Sequence, residues 1–83
     1  MINDDQLDAT IKEIFQKLFK ISQDEVDDET RRGHLETWDS LGHLDLVEAL
    51  RGEFGLDISP ERALDMETVK DIKRAVRELT RAD

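Results

Sequence analysis

Apolar residues along this chain recur at spacings of three and four, with no sustained alternation, so the pattern predicts helices and no strands. Leu7, Ile11, Ile14, Phe15, Leu18 and Phe19 fall on one face and predict a first helix over residues 4–20, capped by Asn3 or Asp4. The stretch "SQDEVDDETRRGHLETW" after this helix keeps no period and carries acids, Thr and Gly33. It is predicted as a long loop, functional or partly mobile, anchored to the core by Val26 and Leu35.

A second helix is predicted from residue 40 or 41 to 54, with Leu41, Leu44, Val47, Leu50 and Phe54 as its buried face and Gly55 as its left-handed stop. Ser59 before Pro60 is a start signal, because serine caps and proline suits the first turn, so "SPERALD" is predicted as a short third helix. Thr68 and Asp71 have the spacing of a capping box, and Val69, Ile72, Val76 and Leu79 predict a fourth helix. Lys73, Arg74, Arg77 and Arg81 lie towards its C-terminal end, where cations favour the helix dipole. The fold class is therefore all-α: a small four-helix bundle of three longer helices and a short third one, with a long loop between helices 1 and 2.

Eighty-three residues are expected to form one domain spanning 1–83, and the absence of cysteine leaves no disulfide or thiolate zinc site to support it. The opening "MINDDQLDATIK" lacks the basic-then-apolar order of a secretory signal, and no apolar run approaches the roughly 20 residues of a membrane span. A soluble, cytoplasmic monomer without membrane insertion is expected. The net charge of −9 is uneven: residues 22–61 hold twelve acids against three bases, while the segments before and after sum to −1 and +1. A partner approaching the middle of the chain should therefore be basic, and nucleic acid is excluded as a partner.

Within that acidic middle lies "ETWDSLGHLDLVEAL". Asp39, Ser40 and His43 have the residue types of a hydrolase triad, but on a helix Asp39 points away from the face shared by 40 and 43, so catalysis is not expected. A calcium loop aligned on Gly33 would place Arg32 where a carboxylate ligand belongs. His34 and His43 are too few for zinc and are read as solvated. Ser40 or Asp39 is expected to cap the second helix, and the same free amides make the position hospitable to a phosphate esterified on Ser40. Trp38 is expected to pack as a staple against the helix it precedes, and His43, one turn beyond Ser40, is within reach of such a phosphate when protonated.

The stretch "WDSLGHLDLVEALRGEFGLDISPERALDMETVKDI" resembles the acyl carrier proteins. Asp39-Ser40-Leu41 matches their attachment motif at the start of the second helix, and the Glu-Phe-Gly ending, the Ile-x-Pro start of the third helix and the Thr-Val start of the fourth agree as well. The resemblance implies that Ser40 receives a 4'-phosphopantetheine arm from coenzyme A through a phosphopantetheinyl transferase, with Asp39, Leu41 and His43 beside it. It implies a carrier, not an enzyme, holding acyl intermediates as thioesters in fatty acid, polyketide or specialised lipid biosynthesis. It further implies that Asp45, Glu48 and Glu53, with Asp39, form an acidic docking side for acyl-activating or acyl-transferring enzymes with basic surfaces, and that an acyl chain enters near Leu50, Ile58 and Met66. Arg51 and Gly52 stand where acids are common in the family, and Glu48 where an apolar residue is usual. Two other readings remain: an aminoacyl or peptidyl carrier, disfavoured by the lack of paired glycines before Ser40, and an acidic helical interaction module in which Ser40 is only a cap.

Overall fold

A computed structural model describes residues 3–81, with the side chain of Arg81 outside the described part. It contains α1 (Asp4–Phe19), α2 (Ser40–Phe54), α3 (Pro60–Leu64) and α4 (Val69–Arg81), with a single 3-10 turn at Gln23–Glu25 in the long loop. Among the described residues there is no strand, only two isolated bridges. The predicted class holds, and so do most of the predicted ends. Asn3 caps α1, its side chain accepting from the Gln6 amide at 2.8 Å. Ser59 caps α3 by accepting from the Arg62 amide. Gly55 ends α2 with φ of 63°, a conformation that costs a glycine little.

The long loop is fastened along its length. Thr30 and Asp27 tie the loop into a turn through their side chains and main chain. The loop carbonyls of Thr30 and Asp28 then accept from the Val69 and Lys70 amides, the first two orphan donors of α4. Thr68 and Asp71 supply the rest as the expected capping box, at 3.1 and 3.2 Å. The Arg32 amide donates in turn to the Glu67 carbonyl at 2.7 Å. A segment without internal period thus gains order by capping another helix.

The core takes Leu7, Ile11, Ile14, Phe15 and Phe19 from α1, Val69, Ile72, Ala75 and Val76 from α4, and Val26 from the loop. Lys73 and Arg77, expected to serve the dipole of α4, reach across the bundle instead: Lys73 bridges Asp8 and Asp28 at 2.8 and 2.7 Å, and Arg77 pairs with Asp4 at 2.9 Å. Burial alone would lower the Lys73 pKa, but its bonds to Asp28 and Asp8 hold it above the ordinary lysine value.

The predicted face of α2 is wrong in its first half. His43, Leu46, Val47 and Leu50 are buried, whereas Leu41 and Leu44 are 73% and 63% exposed. The cause is the helical period: six residues turn the chain by roughly 600°, which leaves Leu41 about 120° away from Val47. Three successive steps of three cannot stay on one face. Polar His43 takes the inward position, which a search for apolar residues passes over.

Gly42 sets how closely α2 approaches its neighbours. A Cβ at this position would lie 2.3 Å from the Thr37 carbonyl oxygen and 2.9 Å from the Phe19 ring, whereas one at Gly52 would meet nothing. One substitution in the same helix therefore carries opposite signs. Gly42→Ala is expected to destabilise by about 1–3 kcal/mol through overpacking, and Gly52→Ala to stabilise by about 0.5–1 kcal/mol through helix propensity. Chemical denaturation of both variants checks this; equal shifts of the same sign would contradict the close approach at Gly42.

Candidate functional site

The turn before α2 divides two tasks between adjacent residues. Asp39 is the N-cap: its carboxylate accepts from the Gly42 amide at 2.8 Å, and its carbonyl accepts from the His43 amide at 2.8 Å. Ser40 is the first helical residue, exposed, and its hydroxyl makes no hydrogen bond to the described residues. The cap that sequence left open between the two belongs to Asp39. A side-chain hydroxyl is thereby left free at a helix start.

Behind the turn stands an aromatic cluster. Trp38 is fully buried against Phe15 and Phe19 of α1, with ring centroids 5.0 and 5.9 Å away, so it staples two helices and not only the one it precedes. Its indole N–H cannot be left without a partner in that position, since an unpaired buried donor costs about 1–3 kcal/mol. His43 supplies the acceptor: Trp38 Nε1 donates to His43 Nδ1 at 3.0 Å.

That bond also fixes the protonation of the imidazole. The indole is only a donor, so Nδ1 carries no proton; Nε2 carries it and donates to the Ala63 carbonyl at 2.6 Å. His43 is therefore neutral, 6% exposed, and occupied at both nitrogens. The solvated histidine expected from sequence is overturned, and a phosphate within its reach finds no cation there, because the buried Trp38 claims the ring. His34, the other histidine, is exposed as expected.

The His43 bond also positions α3. This five-residue helix buries no side chain of its own, so contacts to its last carbonyls help to hold it in place. His43 donates to the Ala63 carbonyl, which also accepts from the Met66 amide at 3.2 Å, and Arg32 Nη2 reaches the Leu64 carbonyl at 3.5 Å. An ion pair between Arg62 and Glu78 holds the outer side of α3 to α4.

Between α2, α3 and the loop lie two open grooves. One, about 470 Å³, is lined by Arg32, Ser40, His43, Leu44 and Leu64. The second, about 410 Å³, continues past Leu44 along Val47, Ile58 and Ala63 to the Glu48–Arg51 pair. Leu41, Leu44 and Leu64, at 73%, 63% and 68% exposure, leave an apolar surface beside Ser40. Of the three residues suggested for the acyl site, Ile58 lines the second groove, while Leu50 and Met66 are sealed in the core and line neither. Asp45 and Glu53 are exposed, whereas Glu48 is paired with Arg51 at 3.0 Å. Among the described residues there is no cluster of His, Cys, Asp and Glu suited to a metal, and no helix long and apolar enough to cross a membrane.

Sequence reasoning missed Arg32, Leu64 and Ala63 as parts of this site. The one available signal was the Trp38–His43 spacing, since a tryptophan headed for the core needs an acceptor nearby.

Burial lowers the His43 pKa below its ordinary 6.5; the Ala63 bond opposes this and the positive charge of Arg32 adds to it. A depressed value means that the folded state resists protonation, so the stability His43 contributes is complete above about pH 6.5 and is lost as pH falls through the lower folded value. His43→Gln has no titrating ring, and is expected to lose its stability deficit relative to the native chain as pH falls from about 7.5 to 5. Paired urea unfolding curves check this; a deficit constant with pH would contradict a neutral buried imidazole.

The family model describing the phosphopantetheine attachment site matches residues 9–76, which takes in most of α1, the loop, the Ser40 turn, α2, α3 and the first part of α4. A search of curated proteins finds none that matches the chain. With the greater part of its length matched, the chain belongs to the phosphopantetheine-attachment family, whose members are carrier proteins bearing covalent 4'-phosphopantetheine and are not themselves catalysts.

Proposed function

We propose that this chain is an acyl carrier protein whose arm is esterified to Ser40. The observation that carries this reading is the division of labour at the α2 start: Asp39 makes the cap, so the Ser40 hydroxyl stands exposed and unbonded at the mouth of a groove. A serine needed only as a cap would have its oxygen on a backbone amide. The surroundings fit a phosphodiester and its apolar burden, with one cation in the groove and leucines along it.

Attachment has a transferase join Ser40 Oγ to the phosphate of coenzyme A that carries the pantetheine, as the pyrophosphate bond breaks, adenosine 3',5'-bisphosphate leaves, and the hydroxyl proton departs. When bound, the arm supplies a thiol for thioester formation, which a chain without cysteine lacks. The residues of the chain do the rest. Asp39 and Gly42 fix the direction of the turn. Leu41 and Leu44 offer apolar contact to whatever approaches Ser40, and exposed Asp45 and Glu53 favour enzymes with basic docking surfaces. Glu48 contributes less to that field because Arg51 compensates it.

The cargo is an acyl intermediate of fatty acid, polyketide or specialised lipid biosynthesis. The tryptophan in place of paired glycines before Asp39 favours this over an aminoacyl or peptidyl carrier.

Incubation with coenzyme A, magnesium and a broad-range phosphopantetheinyl transferase is expected to raise the intact mass by one arm in the native chain and leave Ser40→Ala unchanged. An unmodified native chain, or equal labelling of the variant, would overturn the assignment of Ser40.

A further inference from the structure

We propose that Arg32 is the residue that grips the phosphodiester once the arm is in place. The inference rests on Ser40 as the attachment residue. Arg32 lines the same groove as Ser40 and is the one cation among that groove's lining residues. Its surroundings otherwise repel a phosphate, with twelve acids against three bases over residues 22–61. His43, the other nitrogen base in the groove, is neutral and committed at both nitrogens. Any positive charge met by the phosphate inside this groove is therefore that of Arg32.

Arg32 is also under-used where it stands. Its side chain is only 27% exposed, yet its contacts are long: 3.5 Å to the Leu64 carbonyl and 3.8 Å to the Glu67 carboxylate. Contacts at these lengths are weak, so exchanging them for a phosphate gives up little. Its main chain, in contrast, is firmly placed, donating to Glu67 at 2.7 Å and followed by Gly33 with φ of 97°. The loop places the Arg32 backbone through its Glu67 bond, while the planar fork, engaged only through long contacts of Nη2, can take two phosphate oxygens. The feature that argued against a calcium loop, an arginine at this position, acquires a purpose in anion binding.

The test uses the native chain, Arg32→Gln and Arg32→Lys, each converted with coenzyme A, magnesium and transferase and checked by intact mass. Failure of the native chain to gain an arm would refute the Ser40 assignment, an outcome distinct from any change in the resonances of the modified chains. On those modified chains, the Arg32 Nε–Hε resonance of the native protein is expected to shift and sharpen relative to the unmodified form. The ³¹P resonance is expected to move in Arg32→Gln, with Arg32→Lys in between. An Arg32 Nε–Hε signal unmoved by the arm would overturn the proposal, as would a ³¹P resonance identical in the native chain and Arg32→Gln.

Discussion

A buried indole brings one N–H that must find an acceptor, and meeting that demand organises the site. Trp38 fills the space between α1 and the start of α2, so its donor cannot reach water. His43 accepts it and is thereby forced to donate from its other nitrogen, which it does to α3. One chain of two hydrogen bonds thus links the core, the serine turn and the most weakly packed helix. Because His43 lies three residues beyond Ser40 on the same helix, fixing its ring also fixes the rotation of α2. That rotation leaves Ser40, Leu41 and Leu44 facing outwards.

The remaining elements support this arrangement from outside. Gly42 lets α2 press against the Thr37 carbonyl and Phe19, while Thr37 Oγ1 donates to the Phe19 carbonyl at 3.1 Å and joins the loop to the end of α1. The loop is held at its other end by the first amides of α4. Lys73 ties α1, the loop and α4 through two carboxylates. By comparison α3 is lightly attached, through carbonyl bonds and one outer ion pair, and it forms one wall of the grooves. Rigid placement of the serine and a lightly held wall beside it suit a carrier, whose arm must be presented to one enzyme after another.

Much of this was legible in the sequence because local chemistry dictated it. The Ser59-Pro60 start, the Thr68–Asp71 box and the Gly55 stop depend on residues a few positions apart, and each stands where expected. The Asp-Ser-Leu motif and its neighbourhood identified the family. What was not legible depended on contacts distant in sequence. The fastening of the loop needs amides of α4, far along the chain. The inward turn of His43 needs Trp38 already placed against α1, and a polar label hid it while two exposed leucines took its place in the predicted face. The split between Asp39 as cap and Ser40 as free hydroxyl turns on one residue of register, which sequence alone left open.

The setting of the helix that begins at Ser40 then depends on a neutral, doubly bonded histidine. Long-range ¹H–¹⁵N correlation spectra of the folded protein near pH 6 test that claim directly. The expected result is a neutral His43 with its proton on Nε2 and an unprotonated, hydrogen-bonded Nδ1. An imidazolium, or a ring protonated on Nδ1, would contradict it.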